Sequence, residues 1–147
     1  MDNETVIARL RTFLLALAGF TFFATIIELL LENHTKEVLQ YVPFVLCLIG
    51  FVAIAAALLS PGRGSVFRLR IAMVIVGLGG IIGMGIHMFE NFTFEQDIRP
   101  NEAFLDTLLP TLKGAAPLLA PGVLVFAAIV ALAATYYHPA LAKATVS

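Results

Sequence analysis

The sequence predicts an all-α integral membrane protein: four transmembrane helices in an antiparallel bundle, with both termini on one side. Three observations carry this. Of 147 residues, 60% are hydrophobic and 13% charged, where a soluble domain holds nearer half and a quarter. Asp, Glu, Lys and Arg are absent from four windows, 12–27, 38–62, 71–89 and 114–142. A bilayer core needs about 20 apolar residues in a helix, and each window can span it, the first by including Glu28 to Leu31. The charges left over are sorted by side.

Arg9, Arg11, Arg63, Arg68, Arg70 and Lys143 fall in the N-terminal tail, the loop before residue 71 and the C-terminal tail. Lys36, Arg99 and Lys113 are the only bases of the other two connections. The excess of bases marks the cytoplasmic side, which predicts both termini inside, in a cell (bacterial inner or plasma) membrane. Glu28, Glu32, Glu37, Glu90, Glu95, Asp97, Glu102 and Asp106 then make the outer side acidic. The near-neutral net charge of −1 offers nothing to a nucleic acid. The implied partners are the lipid bilayer and a second copy or larger membrane complex.

The chain reads as one domain, 1–147, with spans at about 12–32, 41–60, 70–91 and 116–137. Residues 1–11 form a short polar tail. The first span is longer than the h-region of a signal peptide and lacks a small-x-small cleavage site, so it is retained. At about 100° per residue, Ala18, Thr21, Ala24, Thr25, Glu28 and Glu32 share one arc, which faces other helices and carries Glu28 into the bundle or a wet crevice. Tyr41 and Pro43 open the second span, where Cys47 is a packing residue. Ser60-Pro61-Gly62-Arg63-Gly64 breaks the chain before the third span.

In the third span Gly79 and Gly83 form a GxxxG pair, with Gly80, His87 and Glu90 on the same arc. Beyond it, Asn101-Glu102 starts a short amphipathic helix with Leu105, Leu108, Leu109 and Leu112 on one side. This helix lies on the outer membrane surface; a buried lid over the mouth is the alternative. Pro117 opens the last span, Tyr136-Tyr137 forms its inner aromatic belt, and Pro139 ends it.

Glu32-Asn33-His34-Thr35-Lys36-Glu37 and Glu90-Asn91-Phe92-Thr93-Phe94-Glu95 share four of six residues, and Gly19 falls over Gly77 in the same register. This suggests a duplicated hairpin, 12–60 and 70–137, related by an axis along the membrane normal. The first and third helices would then meet across the axis. Both segments also read as N-x-T sequons, but their place at helix ends favours a capping or turning role.

Such a meeting gathers Glu28, Glu32, His87 and Glu90 near the outer boundary, with His34, Asn33, Asn91, Glu95 and Met84 at its mouth. The spacings i, i+4 and i, i+3 put each pair on one face, as in metal sites within bundles. Carboxylate and imidazole suit zinc, iron or manganese, and Met84 with Met88 raises copper. The plainer alternative is that the carboxylates are solvated at the headgroups and His87 serves packing. No polar chain continues inward from Glu28 and His87, so an ion pathway lacks stepping stones. A bis-histidine haem is disfavoured because His34 lies in a loop. No nucleophile elbow or phosphate loop is present.

Three functional classes therefore compete. The leading one is a non-enzymatic subunit or self-associating bundle, held by the small-residue face of Gly79, Gly80 and Gly83. The second is a cation-binding protein or small transporter with a divalent metal as its cofactor or cargo. The third is a membrane redox protein or enzyme.

Overall fold

The computed structural model describes residues 2–142; Lys143, counted above with the bases, lies outside the described residues. Those residues form five α-helices and two 3-10 turns, with no strand among them. The helices are α1 (Asn3–Leu31), α2 (Val42–Leu59), α3 (Arg63–Ile98), α4 (Phe104–Leu112) and α5 (Leu119–Ala134). Three helical stretches, Asn3–Leu31, Val38–Leu59 and Arg63–Ile98, are long and apolar enough to cross a membrane.

Two helices are longer than the apolar windows that locate them. The expected polar tail 1–11 belongs to α1, because Asp2 caps it: its Oδ1 accepts from the Thr5 amide at 2.7 Å, and Glu4 in the first turn suits the positive helix end. Likewise α3 extends about two turns beyond the span at either end. The Ser65 hydroxyl holds its start, accepting from the Gly62 amide at 2.9 Å and donating to the Ser60 carbonyl at 2.6 Å. At the far end Arg99 lies 3.7 Å from Glu95, an i, i+4 ion pair. With 36 residues and ~1.5 Å per residue, α3 is about 54 Å long, far more than a ~30 Å hydrocarbon core.

The helix expected over 116–137 is shorter. Pro121 sits in the first turn of α5, where its missing amide hydrogen costs nothing because that turn has no acceptor to offer. Residues 113–118 leave the helix to meet α3. The 16 residues of α5 therefore span about 24 Å at ~1.5 Å each.

The two E-N-x-T segments differ in conformation. Asn33 follows the end of α1 in the left-handed region, with φ 51°. The Asn33 amide donates to Leu30 at 3.1 Å and the His34 amide to Leu29 at 2.9 Å, which closes the helix as a Schellman motif. Asn91 lies instead inside α3 and is buried.

The helices pack through small side chains. Ala18, Ala57, Ala127, Ala128, Ala131 and Cys47 are buried around Phe22, while Phe13, Phe20, Leu48 and Phe126 are exposed, each by more than half. Large apolar side chains such as Leu69, Met73 and Leu124 are buried as well, so bulk lines both the core and the outside, as in helices whose surroundings are as apolar as their interior. Gly19 lies against Ile54, and Gly50 takes the ring of Phe22 so closely that a Cβ there would come within 2.6 Å of it. Since 19 pairs with 54 and 22 with 50, α1 and α2 run in opposite directions.

Each of α1 and α3 packs on both α2 and α5, and α2 touches α5. No Cα of α1 comes within 8 Å of α3 among the described residues. The expectation that α1 and α3 meet across a central axis is therefore corrected: they are diagonal, and α2 with α5 fills the centre. Exchanging α1 with α3 and α2 with α5 maps this set of contacts onto itself. Gly19 against α2 and Gly77 against Ala128 of α5 correspond in that exchange.

Candidate functional site

The glycine face of α3 is a closed seam. A Cβ on Gly79 would come within 2.6 Å of Leu46 in α2. One on Gly80 would come within 2.7 Å of Val125 and 2.9 Å of the Pro121 carbonyl oxygen, and one on Gly83 within 3.1 Å of Pro121. The neighbours that crowd these glycines belong to α2 and α5 of the same chain. Met84 continues the stripe, with its sulfur facing Gly122, and His87 follows one turn on. His87 is half-buried, and its Nδ1 has no hydrogen-bond partner among the described residues.

The stripe ends at Asn91, which is only 4% exposed. Its Nδ2 donates to the Ala116 carbonyl and its Oδ1 accepts from the Ala116 amide, both at 2.9 Å. Gly114 passes directly over the same side chain. An asparagine can present a donor and an acceptor to one residue's backbone, as a neighbouring strand would. Asn91 is thus the clamp that brings the α4–α5 connection onto α3. Sequence reasoning placed it at a site mouth and missed this role.

One turn beyond, Glu95 is buried at 9% exposure on the same face of α3 as Asn91. On α4 it is Thr107 and Thr111, each 2% exposed, that are buried. Their hydroxyls donate within their own helix, to Phe104 and Thr107, both at 2.8 Å. The rings of Phe92 and Phe104 meet edge-on at 5.6 Å and close the α3–α4 contact. The leucines point the other way, Leu105 being 76% and Leu109 58% exposed. This excludes a lid that buries its leucine stripe over the site. The helix is amphipathic in the reverse sense of a water-soluble one.

The opposite end holds an arrangement that charge counting alone did not reveal. Arg11 of α1 donates to the Tyr137 carbonyl at 2.7 Å and to Tyr136 at 3.3 Å. Arg70 of α3 donates to the Thr135 carbonyl at 2.7 Å and to its hydroxyl oxygen at 2.9 Å. Two cations thus close the C-terminal end of α5, where free carbonyls and the negative dipole end favour them. Tyr137 turns the chain with φ 45°. His138 then follows beside both arginines. Partial burial first, and the charges of Arg11 and Arg70 second, hold its pKa below the usual histidine value. Its Nδ1 accepts from the Ala140 amide at 3.2 Å.

The proposed cation cluster is not assembled. Glu28 is exposed on α1 and Glu32 at its C-terminal cap, Glu90 is exposed on α3, and His87 is half-buried on α3. His34 is half-buried beyond the end of α1, while Asn33 serves as its cap. With α1 and α3 diagonal, nothing draws the two pairs together. Among the described residues no three His, Cys, Asp or Glu side chains form a group fit for a metal ion.

The chain matches no known protein family, curated protein or solved structure. Its function has to be argued from its own residues.

Proposed function

We propose that the chain is a four-span antiparallel membrane bundle, N-in and C-in, that acts as a non-enzymatic subunit assembling with itself or with larger membrane proteins. The fourth crossing is α5, extended by flanking residues to the Tyr136-Tyr137 belt. Three features support this membrane placement: the large apolar side chains exposed along the long helices, the outward leucines of α4, and Arg11, Arg63, Arg68 and Arg70 sharing one end. The interchangeable contacts of the α1–α2 and α3–α5 pairs favour an ancestral duplication whose axis passes between α2 and α5.

The observation that carries the subunit reading is Glu28. It lies one turn inside α1, exposed beside Ile27 and Leu31. Its carboxylate has no hydrogen bond or ion pair within the described residues. An ionisable group facing hydrocarbon is costly, and in membrane proteins such groups are matched by a neighbour. The internal seam of Gly79, Gly80 and Gly83 leaves the face of α1 around Glu28 as the docking face.

Native mass spectrometry from mild detergent tests this. The wild type is expected as an oligomer or with a co-purifying membrane protein. Interhelical polar contacts contribute about 1–2 kcal/mol, so Glu28→Leu should weaken association roughly five- to thirtyfold. A strictly monomeric wild type, or a Glu28→Leu variant that associates unchanged, contradicts the proposal.

A further inference from the structure

An open groove of about 390 Å³ runs along the α2–α3 seam, from Leu48 and Val52 past Ala56 and Ala72 to Ser65 and Arg68. From Leu48 to Ala56 it follows α2 for about 12 Å at ~1.5 Å per residue. That is close to the depth of one leaflet, roughly half of a ~30 Å hydrocarbon core. Its walls are aliphatic, and both polar residues sit at one end.

Those two residues are not equivalent. The Ser65 hydroxyl is fully engaged in the turn before α3, between Ser60 and Gly62. Arg68 is exposed and makes no hydrogen bond or ion pair within the described residues. Its neighbour Arg70 reaches the end of α5, which fixes the height of this part of α3 at the boundary of the bundle. Among the described residues the only carboxylates at this end are Asp2 and Glu4, and Asp2 caps α1. The groove thus combines one leaflet's depth of aliphatic wall with a free guanidinium at its headgroup end.

We infer that this groove binds an anionic phospholipid of the leaflet at the arginine-rich end, with one acyl chain along α2 and the phosphate at Arg68. Guanidinium matches phosphate by charge and by its paired donors. Basic pockets between membrane helices on the cytoplasmic side are a recurring form of lipid recognition. A zwitterionic lipid fills the aliphatic walls equally but offers less net charge to Arg68. The inference rests on the membrane-spanning reading, and the two can fail separately.

The test is native mass spectrometry of the delipidated protein, titrated in detergent with phosphatidylglycerol or phosphatidylcholine of the same chains. One basic residue near an anionic headgroup changes affinity about fivefold. Wild type is expected to prefer phosphatidylglycerol by about that factor, and Arg68→Gln to abolish the preference while still binding both. Ala56→Phe, at an exposed groove wall, should weaken both lipids. Arg9→Gln, on exposed α1 away from the groove, should retain the preference. Equal binding of the two lipids by wild type, or an unchanged preference in Arg68→Gln, overturns the inference. Failure of the protein to remain in membranes after an alkaline wash would overturn the membrane reading itself.

Discussion

Replacing Gly80 with leucine is expected to destabilise the bundle by about 3 kcal/mol or more, the upper range for forcing bulk into a packed interior. The obstacle is backbone as well as side chain. A Cβ at this position would come within 2.9 Å of the Pro121 carbonyl oxygen and 2.7 Å of Val125. A side chain can rotate away, but the Pro121 carbonyl can recede only if α5 moves off α3. Set against a total stability of about 5–15 kcal/mol, that loss should lower the melting temperature in detergent by many degrees and reduce the yield of folded protein. Gly85 supplies the control on the same helix. Nothing lies within 4 Å of a Cβ there, so Gly85→Leu should change stability by no more than about 0.5 kcal/mol. Equal melting of the two variants would mean that the α3–α5 seam is not as described.

The second large effect is expected at Asn91. Leucine there removes both hydrogen bonds to Ala116 and leaves that residue's amide and carbonyl without the partners that hold the connection. At about 1–3 kcal/mol for each unsatisfied group, partly relieved by water, the expected loss is about 2–4 kcal/mol. Asn91→Asp keeps an acceptor for the Ala116 amide but loses the donor, so its cost should fall between wild type and leucine. Limited proteolysis gives an independent readout. Lys113 lies at the end of α4, and trypsin should cut there faster in the order wild type, Asn91→Asp, Asn91→Leu. Wild-type melting and cleavage in the leucine variant would contradict the clamp.

Glu28 and Asn91 show what could and could not be read in the residues. Apolar windows located the long helices well, since hydrocarbon length and charge exclusion depend on composition alone. They underestimated α1 and α3, because a helix does not stop where its apolar stretch does. The Asp2 cap and the Glu95–Arg99 pair were local signals for the longer ends. Helical periodicity put Gly79, Gly80 and Gly83 on one arc of α3, and a Cβ on any of them would crowd a neighbouring helix. It could not tell which neighbour they meet, since four helices can be arranged with α1 and α3 adjacent or diagonal. That single ambiguity created the Glu28, Glu32, His87 and Glu90 cluster.

The fate of α4 has a different physical cause. Its leucine stripe was legible, but the direction it faces depends on the solvent. In water leucines turn inward and threonines outward; beside hydrocarbon the preference reverses, and threonine can bond its own helix. Asn91 was hidden for another reason. An asparagine that clamps a distant backbone looks, in sequence, the same as one that ends a helix.

The four-span bundle depends most on α5 crossing the bilayer, because its 16 residues are the shortest of the proposed spans. Impermeant maleimide labelling of single cysteines in intact cells tests it directly, with buried Cys47 replaced by alanine. Thr93→Cys should be labelled from outside. Arg63→Cys and Tyr137→Cys should be labelled only after permeabilisation. Labelling of Tyr137→Cys from outside would leave α5 on the outer face and contradict the four-span bundle.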